Sequence, residues 1–338
     1  TTGLWEAHSE LSIDHVAIAL RADCVLIAPS TANTLAKLAL GITDDPLTAT
    51  VLATEAPVIV APAMDADMFA SPSTQRNVKT LIEHGVILVG PAEGRLASGL
   101  IGKGRLVETA TLIGLVRQAI GRNGDYAGRH VIVSAGGTKQ PIDPVRFISN
   151  RSTGKMGYAI AEAARDRGAD VTLVTASDLP APSGVTVVNT STVVDMRDAI
   201  LPISAHADLL VMAAAISDFT PTDVADQKIK KKGEGSISLE LTKVEDFMPL
   251  AQGKNLVRVA FAAETNNLEA NAHAKAAPKG AAFVVANNVS EPGSGFGTDT
   301  NKVTFVDTDG NAEPQSLMSK LDVGHAILDR ALSHLSKR

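Results

Sequence analysis

The sequence predicts an α/β protein of two doubly wound domains, each a parallel sheet with helices on both faces. Three observations carry this. Short β-branched runs alternate with longer amphipathic runs, the pattern of strand–helix–strand units. That pattern breaks once, at the Gly-rich polar stretch GRNGDYAGR (121–129), and then restarts. Several strands are apolar without alternation, as burial on both faces of a parallel sheet requires. The chain has 338 residues, enough for two domains at roughly 150 residues each. The break places the domains at 1–122 and 126–338.

Each element follows from its own residues. CVLIA (24–28) predicts a buried strand that carries Cys24, and TANTLAKLALG (31–41) a helix closed by Gly41. PVIVAP (57–62) is a strand, 73–84 a helix and VILVG (86–90) a strand. VETATLIGLVRQAIG (107–121) has apolar residues at helical spacing. In the second half HVIVSA (130–135) is a strand and KMGYAIAEAARDRG (155–168) a helix. DVTLVTA (170–176), VTVVNT (185–190), DLLVMAAA (208–215), VRVAFAAE (257–264) and AFVVAN (282–287) are strands. A helix follows VRVAFAAE, with Lys275 and Lys279 on one face. FGTDTNKVTFVD (296–307) is a turn and a strand, and the chain closes on a helix from about Gln315 to Ser336.

Composition removes several functions. Charged residues are 20% and the net charge is −6, which disfavours a general binder of nucleic acid or anionic membranes. Aromatics are 3%, too few for base-stacking platforms. One cysteine, Cys24, excludes an intrachain disulfide and any multi-thiolate zinc site. No apolar run is long enough for a membrane helix, and the start lacks the basic-then-apolar order of a signal peptide. A cytoplasmic, soluble protein is the expectation.

Ligands of open parallel sheets bind beyond the carboxyl ends of strands. After HVIVSA, Gly136 and Gly137 bring backbone N–H groups within reach of an anion. Ser152–Lys155 open a helix, and Arg146 and Arg151 add charge. An ordinary turn with an N-cap is the plainer reading of each piece alone. After DLLVMAAA, Asp218 lies just past a strand end, ten residues before the run Lys228, Lys230, Lys231, Lys232. That run is either a solvated loop or a carrier of lysine to a polyphosphate. In the first half, His15 stands alone in an apolar run, PSTANT (29–34) follows a strand and opens a helix, and PAMDADM (62–68) and EGRLASGLIGKGRL (93–106) are further strand-end loops. Together the three loops make a cofactor crevice.

In this order, GGTKQPIDPVRFISNRSTGKMGYAIAEAA, AAAISDFTP, KIKK, FAAETNN and FGTDTNKV resemble the family of bifunctional coenzyme A biosynthesis proteins. These fuse a phosphopantothenoylcysteine decarboxylase to a phosphopantothenate–cysteine ligase. The resemblance covers nearly the whole chain. It implies a flavodoxin-like first half and a Rossmann-like second half. For the ligase it implies 4′-phosphopantothenate and L-cysteine as substrates, CTP as nucleotide, Mg²⁺, and an acyl-cytidylate intermediate. It assigns Lys228 to charge stabilisation during cytidylate formation, and Arg146 and Asn150 to turnover of the acyl-cytidylate. Met212, Ala213, Ala214, Asp218, Phe261, Lys275 and Lys279 become CTP contacts. So does Glu245–Met248 (with Asp246 and Phe247), where V-E-D-F-M stands in place of the usual N-P-D-I-L.

For the first half the resemblance implies FMN-dependent decarboxylation, with His15 catalytic and Ser30 and Asn33 of PSTANT at the flavin. It implies an opening strand and flavin loop ahead of His15, which this sequence does not contain. Two positions depart from the family pattern. Asp65 replaces the usual Asn, and an ionised Asp only accepts where Asn also donates. Ser98 occupies the place of a proton-donating Cys, and a hydroxyl is a far weaker acid than a thiol. Homo-oligomers are implied: ligase dimers, with higher assembly through the first half. Three other readings stand beside the fused enzyme: a ligase with a structural first half, a non-catalytic flavoprotein subunit, and an NAD(P)-dependent reductase. The absence of G-x-G-x-x-G counts against the last.

Overall fold

A computed structural model of the chain describes residues 14–230 and 238–335. It divides into two units, up to Gly121 and from Arg122.

The first unit contains α1 (Asp14–Arg21), β1 (Val25–Ser30), α2 (Ala32–Leu40), α3 (Pro46–Ala53), β2 (Val58–Pro62), α4 (Ala66–Ala70), α5 (Pro72–Glu83), β3 (Ile87–Leu88), β4 (Ala92–Arg95), β5 (Ile101–Arg105) and α6 (Thr109–Gly121). β1, β2 and β3 form a parallel sheet in that order. Ile27, Val60, Leu35, Phe69 and Leu81 make its core. α2 starts because Thr31 caps its N-terminus and stops at Gly41, whose φ of 68° suits glycine. β1 corrects the sequence expectation: Leu26 is exposed and Cys24 lies half-buried just before the strand. Among the described residues β1 pairs only with β2 and stands at the edge of the sheet.

The second unit runs β6 (His130–Ala135), β7 (Lys139–Pro141), β8 (Phe147–Ser149), α7 (Lys155–Arg165), β9 (Asp170–Thr175), β10 (Thr186–Asn189), α8 (Val193–Ser204) and β11 (Leu209–Met212). It continues through β12 (Phe219–Pro221), β13 (Leu241–Lys243), a 3-10 turn at Met248–Leu250, β14 (Val257–Glu264), α9 (Leu268–Ala276) and β15 (Phe283–Asn288). It closes with β16 (Thr300–Asn301), β17 (Thr304–Asp307), β18 (Ala312–Pro314), β19 (Met318–Ser319) and α10 (Lys320–Leu335).

Among the described residues its main sheet has the order β10-β9-β6-β11-β14-β15-β17-β18. The first six strands are parallel, while β17 pairs antiparallel with β15 and β18 antiparallel with β17. Strand alternation sends Val131 and Val133 to one face, against Ile160 of α7 and Ile327 of α10. Ile132 and Leu210 go to the other, against Met196 and Ile200 of α8 and Ala272 of α9. From β6 the chain builds outward to β9 and β10, then returns to β11 on the other side of β6. The order therefore reverses between β6 and β11, where a parallel sheet opens a crevice.

Three expectations are corrected here. The closing helix begins at Lys320, because Met318–Ser319 pair with Thr300–Asn301 as a small sheet. The strand at DLLVMAAA ends at Met212, and the three alanines leave the sheet to line the crevice. Lys279 lies beyond α9, which ends at Ala276, so it does not share a helix face with Lys275. Lys231 and Lys232 lie outside the described residues, as does Ser336. Among the described residues no helix is long and apolar enough to cross a membrane.

Candidate functional site

The crevice of the second unit is a cavity of about 450 Å³ at the carboxyl ends of β11 and β14. Met212–Asp218 form one wall. They are held from β6 and its loop: Ser134 Oγ accepts from Ala214 N at 3.1 Å, and Gly136 O from Ala215 N at 2.8 Å. Thr138, fully buried, accepts from Ser217 N through Oγ1 at 3.0 Å. Asn150 Nδ2 donates to Ala215 O and Ile216 O, both at 3.2 Å, which fixes Asn150 at the rim. α7 begins at Gly154 (φ 87°) without a side-chain cap, so its first N–H groups remain open. A Cβ there would meet Ser177 Cβ at 2.7 Å, and an L residue would also resist this φ.

The opposite wall is Val244–Met248, Phe261 and the two lysines. Lys275 Nζ lies 2.6 Å from Glu264 Oε1, and Lys279 Nζ 2.5 Å from Asp246 Oδ2. Burial pushes Glu264 up, but hydrogen bonds from Lys275 and Asn271 outweigh it and hold its carboxyl below the usual range. Asp218 and Glu245 are exposed at the cavity.

The cavity thus gathers Asn150, Met212, Ala213, Ala214, Asp218, Glu245, Asp246, Phe247, Met248, Phe261, Lys275 and Lys279. It does not gather Arg146 or Lys228. Lys228 is exposed, and Arg146 turns its guanidinium to Asp143 and Ile229. Met156, Asn301 and Lys320 also line the cavity. Asn301 lies in a run the sequence had singled out, whereas Lys320 was hidden inside an expected helix. Its ammonium, buried with its side chain, donates to Gly295 O at 3.1 Å and to Thr298 O. Burial, then repulsion from Lys155, push its pKa down.

In the first unit, Ser30 is fully buried at the end of β1, and its Oγ has no hydrogen-bond partner among the described residues. His15 Nδ1, on α1, is in the same condition. Asn33 is exposed in the first turn of α2. Asp65 caps α4, and Ser98, in the turn between β4 and β5, donates to its Oδ2 at 2.6 Å. That bond holds the Asp65 carboxyl below its ordinary pKa. Among the described residues no group of three or more His, Cys, Asp or Glu is placed to hold a metal ion.

The "Flavoprotein" family matches residues 1–121, and the "DNA/pantothenate metabolism flavoprotein C-terminal domain" family matches 126–335. The chain is 42% identical over 332 residues to "Coenzyme A biosynthesis bifunctional protein CoaBC" of Bacillus subtilis (strain 168), covering 96% of this chain and 81% of that protein. The chain belongs to the bifunctional coenzyme A biosynthesis family. A "Cysteine/Cysteine sulfinic acid decarboxylase" from an unknown prokaryotic organism is 39% identical, covering 98% of this chain and 92% of that protein. Among solved structures, the C-terminal domain of a CoaBC protein matches with a TM-score of 0.54 and 32% identity, covering 64% of this chain and all of that one. The flavoprotein match thus precedes the pantothenate-metabolism match in one chain.

Proposed function

We propose that the second unit is a phosphopantothenate–cysteine ligase that activates the carboxylate of 4′-phosphopantothenate with CTP. The carrying observation is the 450 Å³ crevice at the carboxyl ends of β11 and β14, with Lys275, Lys279, Asp218 and Asn150 around it. A carboxylate oxygen attacks the α-phosphorus, the bond to the bridging oxygen breaks, and pyrophosphate leaves. The amine of L-cysteine then attacks the acyl carbon, CMP departs with the bonding pair, and the amine sheds a proton. Met212–Ala214, Glu245–Met248 and Phe261 border the nucleotide. Lys275 and Lys279 exchange their carboxylate partners for phosphate oxygens. Lys228 supplies a mobile point charge for the developing phosphoryl charge, and Asn150 and Arg146 act on the acyl-cytidylate. Asp218, exposed at the cavity with Glu245, would hold Mg²⁺ together with the triphosphate oxygens, and the ion would supply charge neutralisation to the phosphates.

The first unit, on the same reading, decarboxylates 4′-phosphopantothenoylcysteine to 4′-phosphopantetheine. The unpartnered buried Ser30 Oγ and His15 Nδ1 suit a polar ligand such as FMN, with Asn33 exposed in the first turn of α2, which follows Ser30. When bound, FMN supplies two-electron oxidation of the thiol end and its reversal. His15 holds or moves the substrate proton, and Ser98 is the hydroxyl donor. A second reading, a ligase with a structural first half, is favoured by Asp65: ionised and accepting from Ser98, it repels a substrate carboxylate. Homodimers fit the exposed Val145, Phe147, Phe219 and Leu241 on the β7–β8 and β12–β13 hairpins.

The test is formation of CMP and pyrophosphate by the purified chain with 4′-phosphopantothenate, L-cysteine, Mg²⁺ and either CTP or ATP. Products that require CTP and collapse to a small residual rate in Lys228→Gln are expected. A folded protein without nucleotide turnover overturns the ligase. Release of carbon dioxide from the ligated product separates the two readings of the first unit.

A further inference from the structure

The turn between β7 and β8 carries a buried charge that the mechanism above does not use. The Asp143 side chain is wholly shielded from solvent. Its Oδ1 accepts from Val145 N and Arg146 N, each at 2.9 Å. Its Oδ2 accepts from Arg146 Nε at 3.0 Å, from Arg146 Nη2, and from Ile229 N at 3.1 Å. Arg146 Nη2 donates onward to Ile229 O at 2.9 Å. A buried carboxylate is costly unless its lone pairs are matched, and here every donor comes from two places in the chain. One is its own turn. The other is Ile229, 86 residues away.

A turn closed on itself needs only the first four of these bonds, those from Val145 and Arg146. The Ile229 bonds do something else: they grip one residue by both its N–H and its C=O. Four residues earlier, Ala225 N donates to Ile142 O at 3.0 Å, so the segment is tied to the same turn twice. Lys228 lies between the two ties. A lysine has a long flexible stem, and its usefulness as a point charge depends on where its backbone begins. Arg146, meanwhile, cannot move its Nε–Nη2 edge without releasing both Asp143 and Ile229.

We propose that Asp143 is a positioning residue of the ligase, coupling Arg146 to the backbone at Ile229 and so fixing the root of Lys228. Its catalytic consequence rests on the ligase reading. Asp143→Asn keeps one carbonyl oxygen and the shape of the turn but weakens the grip on Arg146 and Ile229. It lowers kcat on the order of 100-fold, with KM for CTP little changed, because the nucleotide walls are built elsewhere. In a Lys228→Gln background the same change costs nothing further. Losses that multiply in the double variant, or a rise in KM equal to the fall in kcat/KM, overturn the proposal.

Hydrogen–deuterium exchange of the peptide covering 224–230 gives an arm independent of turnover. Faster exchange there in Asp143→Asn, with β11 unchanged, is expected. Unchanged exchange, or acceleration spread equally over β11, overturns it. Should the wild type fail to make CMP from CTP, the ligase reading falls, and the exchange arm alone decides whether Asp143 anchors the segment.

Discussion

Lys320 has its ammonium inside the wall of the crevice, satisfied by carbonyls of the loop that carries Gly295 and Thr298. Lys320→Met keeps the apolar stem and unties that loop. Leaving its carbonyls unmatched costs about 1–3 kcal/mol, and the expected result is a weaker affinity for CTP, measured by calorimetry. The pH dependence has a fixed sign. Burial lowers the folded-state pKa below the unfolded value, so protonation opposes folding and stability is gained as pH rises. The Tm of the wild type therefore improves relative to Lys320→Met as pH rises toward the ordinary lysine pKa of about 10. At Asp65 the argument is electrostatic. The carboxyl of Asp65, held ionised by its bond from Ser98, and a substrate carboxylate carry like charges and repel. Asp65→Asn removes one of them and leaves an amide that both donates and accepts. Carbon dioxide release from 4′-phosphopantothenoylcysteine should rise by about tenfold or more, and an unchanged rate would show that no substrate carboxylate approaches Asp65.

Gly157 decides how α7 meets β6. A Cβ there would lie 2.6 Å from Ala135 Cβ and 2.7 Å from Ser134 O, which belong to a strand that cannot give way. Gly157→Ala should cost about 1–3 kcal/mol by overpacking, read as a lower Tm, and should push the open N-terminus of α7 away from the crevice. Such close packing was not legible in the sequence, where Gly157 read only as part of a helix. The elements themselves were legible wherever one period held: the strands at 130–135 and 170–176, the doubly buried strand at 282–287 and the amphipathic α7 all stand within a residue of where their patterns put them. The errors fall where two patterns overlap. Gln315–Ser319 precedes a true helix and shares its polar–apolar mix, but Met318–Ser319 find a strand partner in Thr300–Asn301. DLLVMAAA is continuous in hydrophobicity, but the carbonyl of Gly136 and the hydroxyl of Ser134 draw its alanines out of the sheet. Of the site, the strand-end loops were readable because chemistry follows topology. The Asp143–Ile229 grip was not, since nothing local links residues 86 positions apart.

Each unit has its own core. The two clusters of the second unit draw on no residue before Tyr126, and the cluster of the first on none after Leu88. A chain of two such cores can be cut between them without dividing either, provided the cut falls where the backbone crosses from one to the other, at Gly121–Arg122. Residues 122–338 alone should therefore fold and unfold cooperatively. All the residues that border the proposed nucleotide lie within them, so CTP-dependent formation of CMP should persist with unchanged KM for CTP. The measurement is steady-state kinetics of the fragment beside the full chain, with circular dichroism to establish folding. A folded fragment that has lost turnover would mean that the first unit lends a group to the crevice, and the ligase would then have to be assigned to the whole chain rather than to its second half.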